Sequence, residues 1–526
     1  MALIFFTGAV VLALEVLASR IMTPYFGVSL YIWAGILSIT LAFLAAGYYL
    51  GGLLCRKLAS ARLAWLFHLL PVAAAASVLA ACAVYPLWFP VLAQANLIAG
   101  SFVASAVLLA LPLVGLSAMN PLLIALSGGR KAADATAGDA GAGRVFFVST
   151  AGSVLGVVVT AFWIIPTLTN FAALLWLALA LAVASAAFGL RAQPLLVADR
   201  RRLLIAAAAV AALALAFIAG ADRYMAMLTA RGDGPYRFQV MAEYTSVFGN
   251  VKVVDMRSRD PREPPVKAYL QDGILQNRVT LDGVSVSMYT YVLDRLAGYF
   301  APRASAALVL GLGAGVVPED LRRRGVKVTV VEINPDGLKA ATEHFGFKAE
   351  HFDIRIEDAR TFVRRCRPTY DVVVVDLFQG DAVPDYLMTA EFFRAIRSCL
   401  RDNGAVVMNA FFDDADDAPN RRLMATVAAA FGTVMRFDLR DANGFVVGTN
   451  GLTPQAIEFS PVGIPPGLVD LVWRTLASGK VVRPVQLAGQ PPLTDRHNVA
   501  SLLFADSHLK RRRAIVEVLS PRVLVN

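Results

Sequence analysis

Two patterns of hydrophobic and polar positions divide the chain. Up to about residue 220 the apolar residues come in long runs, near positions 2 to 18, 30 to 54, 64 to 85, 92 to 118, 145 to 166, 171 to 190 and 203 to 220. A bilayer-spanning helix needs about 20 mostly apolar residues, so these runs predict about seven spans. Beyond "GADRYMAMLTARGDGPYRF" charged residues recur every few positions and the runs shorten. "FQVMAEY", "NVKVVDM" and "VKAYLQDG", with Gly, Asn and Pro between them, predict a small antiparallel sheet. After the helical "SMYTYVLDRLAGYF", strands such as "AALVLGLG", "KVTVVEIN", "FDIRIED", "YDVVVVDLF" and "AVVMNAFF" alternate with amphipathic helices. Apolar strands separated by such helices predict a doubly wound parallel sheet covered on both faces.

The composition agrees with half a membrane protein: 57% hydrophobic, 17% charged, mean hydropathy +0.59 over 526 residues. Much of the basic excess behind the net charge of +10 sits in short loops between apolar runs, as membrane topology demands, so nucleic acid is not an expected partner. Arg56, Lys57, Arg62, Arg130, Lys131, Arg144, Arg191, Arg200, Arg201 and Arg202 fall on one side of the seven spans and Arg20 on the other. The positive side is cytoplasmic, which literally followed leaves everything after Gly220 outside. The first run carries Glu15, has no basic flank and lacks a small-residue cleavage site, so it reads as a retained span and not a signal peptide. Glu15 and Arg20 lie at membrane depth, where charges pair, snorkel or serve transport. Cys55, Cys82, Cys366 and Cys399 are far apart and the five histidines show no paired spacing, so neither a disulfide scaffold nor a protein metal site is expected.

A doubly wound sheet binds ligands at the carboxyl ends of its strands. There the chain carries an ordered set: Gly311, Gly313 and Gly315 after the first strand, Glu332 about 20 residues on, Asp358 with Ala359 after the third, and Asp376 after the fourth. Glycines let the backbone approach a ligand, and an acidic side chain can accept hydrogen bonds from both ribose hydroxyls. Together they predict a nucleoside site. The loop "GLGAGVVPED" departs from the dinucleotide pattern and suits an adenosyl-sulfonium ligand better. Taken alone, Asp376 can also be read as a residue capping the following turn. Asp371 reads as structural, and "HLKRRR", Lys510 to Arg513, as a solvated helix face.

At these residues the chain resembles the spermidine synthase (polyamine aminopropyltransferase) family, in its membrane-fused bacterial branch. The resemblance runs nearly end to end, through "FFTGAVVLALEVLASRIMTPYFG", "YYLGGLL", "STAGSVLG", "EYTSVFGNVKVVD", "YLQDGILQN", "LVLGLGAG", "VVEINPD", "EDAR", "YDVVVVDLFQGDAVPDYLMT" and "PLTDRHNVASLL". It implies transfer of an aminopropyl group from decarboxylated S-adenosylmethionine to an amine such as putrescine, leaving methylthioadenosine, with no metal. Gln276 and the Gly311, Gly313, Gly315 loop would cradle the sulfonium nucleoside, Glu332 the ribose, Asp358 and Ala359 the adenine, and Pro384 its other edge. Asp376 would be the catalytic carboxylate. An amine is mostly protonated at neutral pH, so a positioned proton acceptor is what the chemistry requires.

The departures concern the acceptor. Ala314 stands where the family loop has Asp, Gln379 where it has a second carboxylate, and Phe248 with Gly249 where it has Tyr-Gln; its Tyr-His-Glu motif survives only as Tyr289 or Tyr291, and Asp381 can compensate from the same loop. Fewer carboxylates mean weaker binding of a dication. Two further readings stay open: methyl transfer from S-adenosylmethionine itself, and a non-catalytic polyamine transport or sensing protein, for which Glu15 speaks. The expected fold class is a multi-pass α-helical membrane domain (1–221), a linker and small antiparallel β subdomain (222–285), and a doubly wound Rossmann-like, methyltransferase-type catalytic domain (286–526). Expected partners are a small amine, the lipid bilayer and a second copy through the soluble domain. The expected location is the cell (inner) membrane. Because the co-substrate is cytosolic, the soluble half is expected in the cytosol despite the loop charges, with the run 203 to 220 then lying along the membrane.

Overall fold

The computed structural model describes all residues except 29, 129–134, 193–194, 231–233, 379, 381–382, 412–416, 439–442 and 451–456. They form two compact units, Met1–Gly234 with Val516–Asn526, and Pro235–Ile515.

Among the described residues, the first unit contains seven helices long and apolar enough to cross a membrane. They are α1 (Ala2–Phe26), α2 (Leu30–Lys57), α3 (Ser60–Ala95), α4 (Leu97–Gly128), α5 (Ala135–Val159, continued by a π turn at Thr160–Ile164), α6 (Asn170–Arg191) and α7 (Val197–Ala230). The third and fourth runs meet at Asn96, not between positions 85 and 92 as the sequence suggests. Pro86 and Pro90 lie inside α3, where proline ordinarily costs about 3 kcal/mol. Here Tyr85 and Phe89 are fully buried beside Tyr25 and Phe26, with ring centroids 5.3 to 6.3 Å apart. That packing carries the helix past its prolines. Asn96, in extended conformation, ends it, and its Oδ1 accepts the Ala99 N–H of the next helix. In "STAGSVLG", a Cβ on Gly152 or Gly156 would fall 2.0 or 2.2 Å from the carbonyls of Phe5 or Ala9. Small residues thus let α5 lie backbone against backbone on α1, as in membrane bundles.

The last apolar run does not stop at Gly220. It lies inside α7, which extends to Ala230, so residues expected as linker are helical. The C-terminal segment Val516–Asn526 also belongs to this unit and not to the catalytic domain. The Asn526 carbonyl accepts the Phe171 N–H at 2.9 Å, and its side-chain amide donates to the Arg20 carbonyl at 2.9 Å.

The second unit opens with an antiparallel meander of β1 (Tyr236–Ser246), β2 (Gly249–Ser258), β3 (Val266–Gln271) and β4 (Ile274–Thr280). Helix α8 (Met288–Phe300) leads into an eight-stranded sheet of β5 (Ala306–Leu310), β6 (Lys327–Glu332), β7 (Asp353–Ile356), β8 (Tyr370–Val375), β9 (Leu400–Phe411), β10 (Thr433–Phe437), β11 (Asn443–Thr449) and β12 (Lys480–Val481). The spatial order is β12-β10-β11-β9-β8-β5-β6-β7. Strands β5 to β9 pair in parallel, and β11, β10 and β12 add an antiparallel edge. In β8, Val373 and Val375 join one core with Phe392, Phe393 and Ile396, while Val372 and Val374 join another with Leu293, Phe437 and Phe445. Burial on both faces is why "VVVV" shows no alternation. From β5 the chain runs outward through β6 and β7 on one side and then returns to β8 on the other, which opens a crevice at the carboxyl ends of β5 and β8.

Cys366 and Cys399, expected to be unpaired, form a disulfide with Cα atoms 5.0 Å apart. The pairing is tertiary: Cys366 follows α11 (Ala359–Val363) and Cys399 ends α12 (Ala390–Cys399), and these two helices pack side by side.

Candidate active site at the strand ends

The cavity in this crevice has about 830 Å³ of empty space including its mouth, a size that suits a small organic ligand. Gln276, Gly311, Gly313, Glu332, Asp358, Ala359, Asp376 and Pro384 line it, together with Tyr289, Phe378 and Tyr386.

The glycine loop shapes the floor. Gly311 has φ +93°, and a Cβ there would lie 2.2 Å from the carbonyl oxygen of Asp376. Only glycine lets the turn after β5 touch the turn after β8. Gly315 serves a different end: with φ +80° it begins α9 (Val316–Arg323), and a Cβ would strike Phe347 at 2.5 Å. Glu332 ends β6, where its Oε2 accepts the Leu312 N–H at 3.0 Å and its Oε1 the Asn334 N–H at 2.8 Å. Burial raises its carboxyl pKa while these amides pull it back. Asp358 caps α11 through Oδ1, which accepts from Thr361 N at 2.8 Å, and its Oδ2 accepts the Tyr386 hydroxyl at 2.9 Å. Gln276 donates to the Gly380 carbonyl at 2.8 Å and tethers the loop after β8.

Asp376 is the electrostatic centre. Its backbone N–H is used by the Leu310 carbonyl at 2.9 Å, and its Oδ1 accepts from Asn409 Nδ2 at 2.8 Å. Tyr289, whose own hydroxyl accepts from Asn277 Nδ2 at 2.6 Å, lines the cavity beside the same carboxylate and helps to lower its pKa. Burial is the largest influence and pushes Asp376 up to about 6, against the pull of Asn409, Arg511 and Tyr289. A carboxylate so tuned is ionised at neutral pH yet basic enough to take a proton.

Tyr291 does not join this group: it is buried in the core and its hydroxyl donates to the Ser285 carbonyl at 2.7 Å. Gln379 and Asp381 lie outside the described residues. Ala314 packs under the small sheet with Val251, Val253 and Tyr269. Asp371 is the structural residue expected, accepting from the amides of Ser305 and Ala306 and from Arg401.

Asn409 escaped the sequence reading, although a lone amide in "AVVMNAFF" was a signal. It receives a hydrogen bond from Asn443 Nδ2 at 2.9 Å, so β11 holds β9's amide toward the site. The basic cluster in α13 (Ala505–Val518) also departs from expectation. Arg512 is fully buried and donates to the Asp272 carbonyl at 2.8 Å, and Arg511 lies over the Phe378 ring, 5.8 Å from its centroid. A helix face that reads as solvated is half used to pin the loops around the cavity. Among the described residues no cluster of His, Cys, Asp and Glu could hold a metal ion.

Comparison with known proteins agrees with this geometry. Residues 287–419 match the family profile described as the spermine/spermidine synthase domain. An N-terminal histidine N-methyltransferase of Emericella nidulans is 42% identical over 116 residues, 20% of this chain and 21% of that protein. A polyamine aminopropyltransferase of Vibrio vulnificus is 30% identical over 163 residues, 30% of this chain and 54% of that protein. The chain thus spans about half, or less, of the length of these curated relatives. The crystal structure of a probable spermidine synthase from Corynebacterium glutamicum aligns with 49% of this chain and 96% of its own, at 18% identity and TM-score 0.39. The matched segment, residues 287–419, supplies Glu332, Asp358 and Asp376, and over that segment this chain is similar to the spermine/spermidine synthase family.

Proposed function

We propose that the second unit is a transferase that moves an aminopropyl group from decarboxylated S-adenosylmethionine to an amine such as putrescine, and that the seven helices anchor it in a membrane. The observation that carries this reading is the convergence of Gly311, Glu332, Asp358 and Asp376 on one cavity within the family-matched segment and its flank. In this assignment Gly311 and Gly313 admit the nucleoside against the backbone, Glu332 holds the ribose, Asp358, Ala359 and Pro384 frame the adenine, and Gln276 fixes the loop that covers them. Gly315 contributes through the shape of the loop.

The acceptor amine must lose a proton and lie in line with the carbon beside the sulfonium. Asp376 takes that proton. Tyr289 and Asn409 hold its carboxylate in place, and burial keeps its basicity near neutral pH. The leaving group is already activated by its positive charge, so position and one proton acceptor suffice.

A second reading, methyl transfer from S-adenosylmethionine, has two observations in its favour. The fungal relative with 42% identity is named as an N-methyltransferase. At Ala314, where the family has a carboxylate for the donor's amino group, the side chain is apolar and packed. One assay separates the readings: purified protein is incubated with either donor and a panel of amines, and the nucleoside product is identified by mass spectrometry. Methylthioadenosine supports aminopropyl transfer. S-adenosylhomocysteine supports the methyl reading, and no nucleoside product with any amine overturns both.

A further inference from the structure

We infer that the Pro235–Ile515 unit faces away from the cytoplasm, in an oxidising compartment where Cys366 and Cys399 are joined as a disulfide. This is the opposite of the cytosolic placement expected from the co-substrate, and it does not rest on the proposed activity.

The first observation is the number of crossings. The run 203 to 220 would have to lie along the membrane for the soluble half to share the cytoplasm with the basic connections. Instead it is the middle of α7, one continuous helix from Val197 to Ala230 that is apolar enough to span. With seven crossings the chain ends on the side opposite its start.

The second is charge. Arg56, Lys57 and Arg62 flank the α2–α3 connection, Arg144 lies in α5 while Arg130 and Lys131, outside the described residues, fall in sequence between α4 and α5, and Arg191, Arg200, Arg201 and Arg202 flank the α6–α7 connection. All three connections are on the side where the chain starts. On the other side Arg20 and Arg223 lie within α1 and α7, Arg231 follows α7 in sequence outside the described residues, Arg522 lies in the returning segment, and the connections at Gly27–Val28, Asn96 and Leu168–Thr169 carry no charge. The bias of Lys and Arg toward cytoplasmic loops sets orientation, so the first side is cytoplasmic and the exit of α7 is not.

The third is how the chain returns. Asn526 bonds to Phe171 at the start of α6 and to Arg20 in the last turns of α1. In alternating threading both lie toward the end where α7 leaves, so the segments before and after the second unit attach at one end of the helical unit.

The fourth is the cysteine pair. Its Cα separation of 5.0 Å lies within the range a disulfide accepts. Disulfides persist in oxidising compartments and are rare in the cytosol. Cys55 and Cys82, which lie in α2 and α3, are free thiols. The bond forms by exchange with the disulfide of a thiol–disulfide oxidoreductase. One cysteine thiolate attacks it to give a mixed disulfide, and the second then displaces the oxidoreductase. The two electrons and the two protons of the cysteine thiols end on the two thiols of the reduced oxidoreductase. A sulfonium donor made in the cytosol then reaches the site only after crossing the membrane.

Two measurements on the full-length protein in bacterial membranes test this. The wild-type chain is acid-quenched, denatured and alkylated with polyethylene-glycol maleimide, with or without prior reduction. Two tags without reductant and four with it are expected, from the four cysteines of which Cys55 and Cys82 are free. Four tags without reductant overturn the disulfide. For sidedness, Val462→Cys and Leu196→Cys, at positions 77% and 62% exposed, are treated with a membrane-impermeant maleimide in intact spheroplasts and after lysis. The inference expects Val462→Cys to label in both and Leu196→Cys only after lysis. The reverse pattern overturns the orientation, whatever the activity assay shows.

Discussion

Replacing Asp376 by Asn moves stability and activity in opposite directions. The carboxyl is raised from 3.8 to about 6 chiefly by burial, so the folded state prefers the proton and the unfolded state gives it up earlier. Because the folded value is the higher one, this group's contribution is fully present below pH 3.8 and is lost as pH rises to about 6. The difference corresponds to about 3 kcal/mol at neutral pH, since one pH unit is about 1.4 kcal/mol. Asn has the same shape and still accepts from Asn409 Nδ2, but it has no charge to bury. The variant should therefore gain about 2 to 3 kcal/mol at pH 8, a rise of roughly 5 °C or more in melting temperature. Turnover should fall by about 10² to 10⁴, the usual contribution of a positioned base. The wild type should show an acid limb near pH 6 in kcat/KM that the variant lacks. The checks are scanning fluorimetry in detergent at pH 5 and 8, and product formation followed by mass spectrometry. An Asp376→Asn protein that melts lower while retaining transfer would refute the reasoning, because that is the behaviour of a turn cap.

Other perturbations follow from the same contacts. Asn409→Leu removes a donor that lowers the Asp376 pKa, so the acid limb should move upward by about one pH unit, read from the kcat/KM profile. Gly311→Ala places a Cβ against the Asp376 carbonyl at a φ of +93°; nucleoside affinity measured by calorimetry should fall, and stability should drop by about 2 to 4 kcal/mol. Arg512→Met leaves the Asp272 carbonyl without its guanidinium donor and should lower the unfolding free energy, read from denaturant titration, by about 2 to 4 kcal/mol, whereas Arg513→Met on the exposed face of α13 should leave it within about 0.5 kcal/mol.

Much of the architecture was legible because burial writes itself into composition. Residues in hydrocarbon must be apolar on every face, and β8 is apolar without alternation because helices cover it on both sides. The carboxylates and glycines that line the cavity were legible for a related reason. Gly311, Glu332, Asp358 and Asp376 each close a strand, so their positions follow once the strands are found. The aromatic lining was less so. Tyr289 and Tyr291 are two residues apart on one helix, and only the direction of their side chains puts the first on Asp376 and the second on Ser285.

By itself the sequence determined the two kinds of environment, the order of strands and helices, and the carboxylates and glycines at the strand ends, because each depends on local pattern. Tertiary structure decided what depends on distant residues meeting. Tyr85 and Phe89 carry α3 through its prolines by packing on Tyr25 and Phe26. Cys366 finds Cys399 because two helices lie side by side. Arg512 is buried because its helix turns toward Asp272. Asn409 reaches Asp376 across two neighbouring strands, and the basicity of that carboxylate comes from the surroundings the fold assembles around it. Pairing, burial and pKa are properties of neighbours in space, which a linear pattern specifies only through the fold.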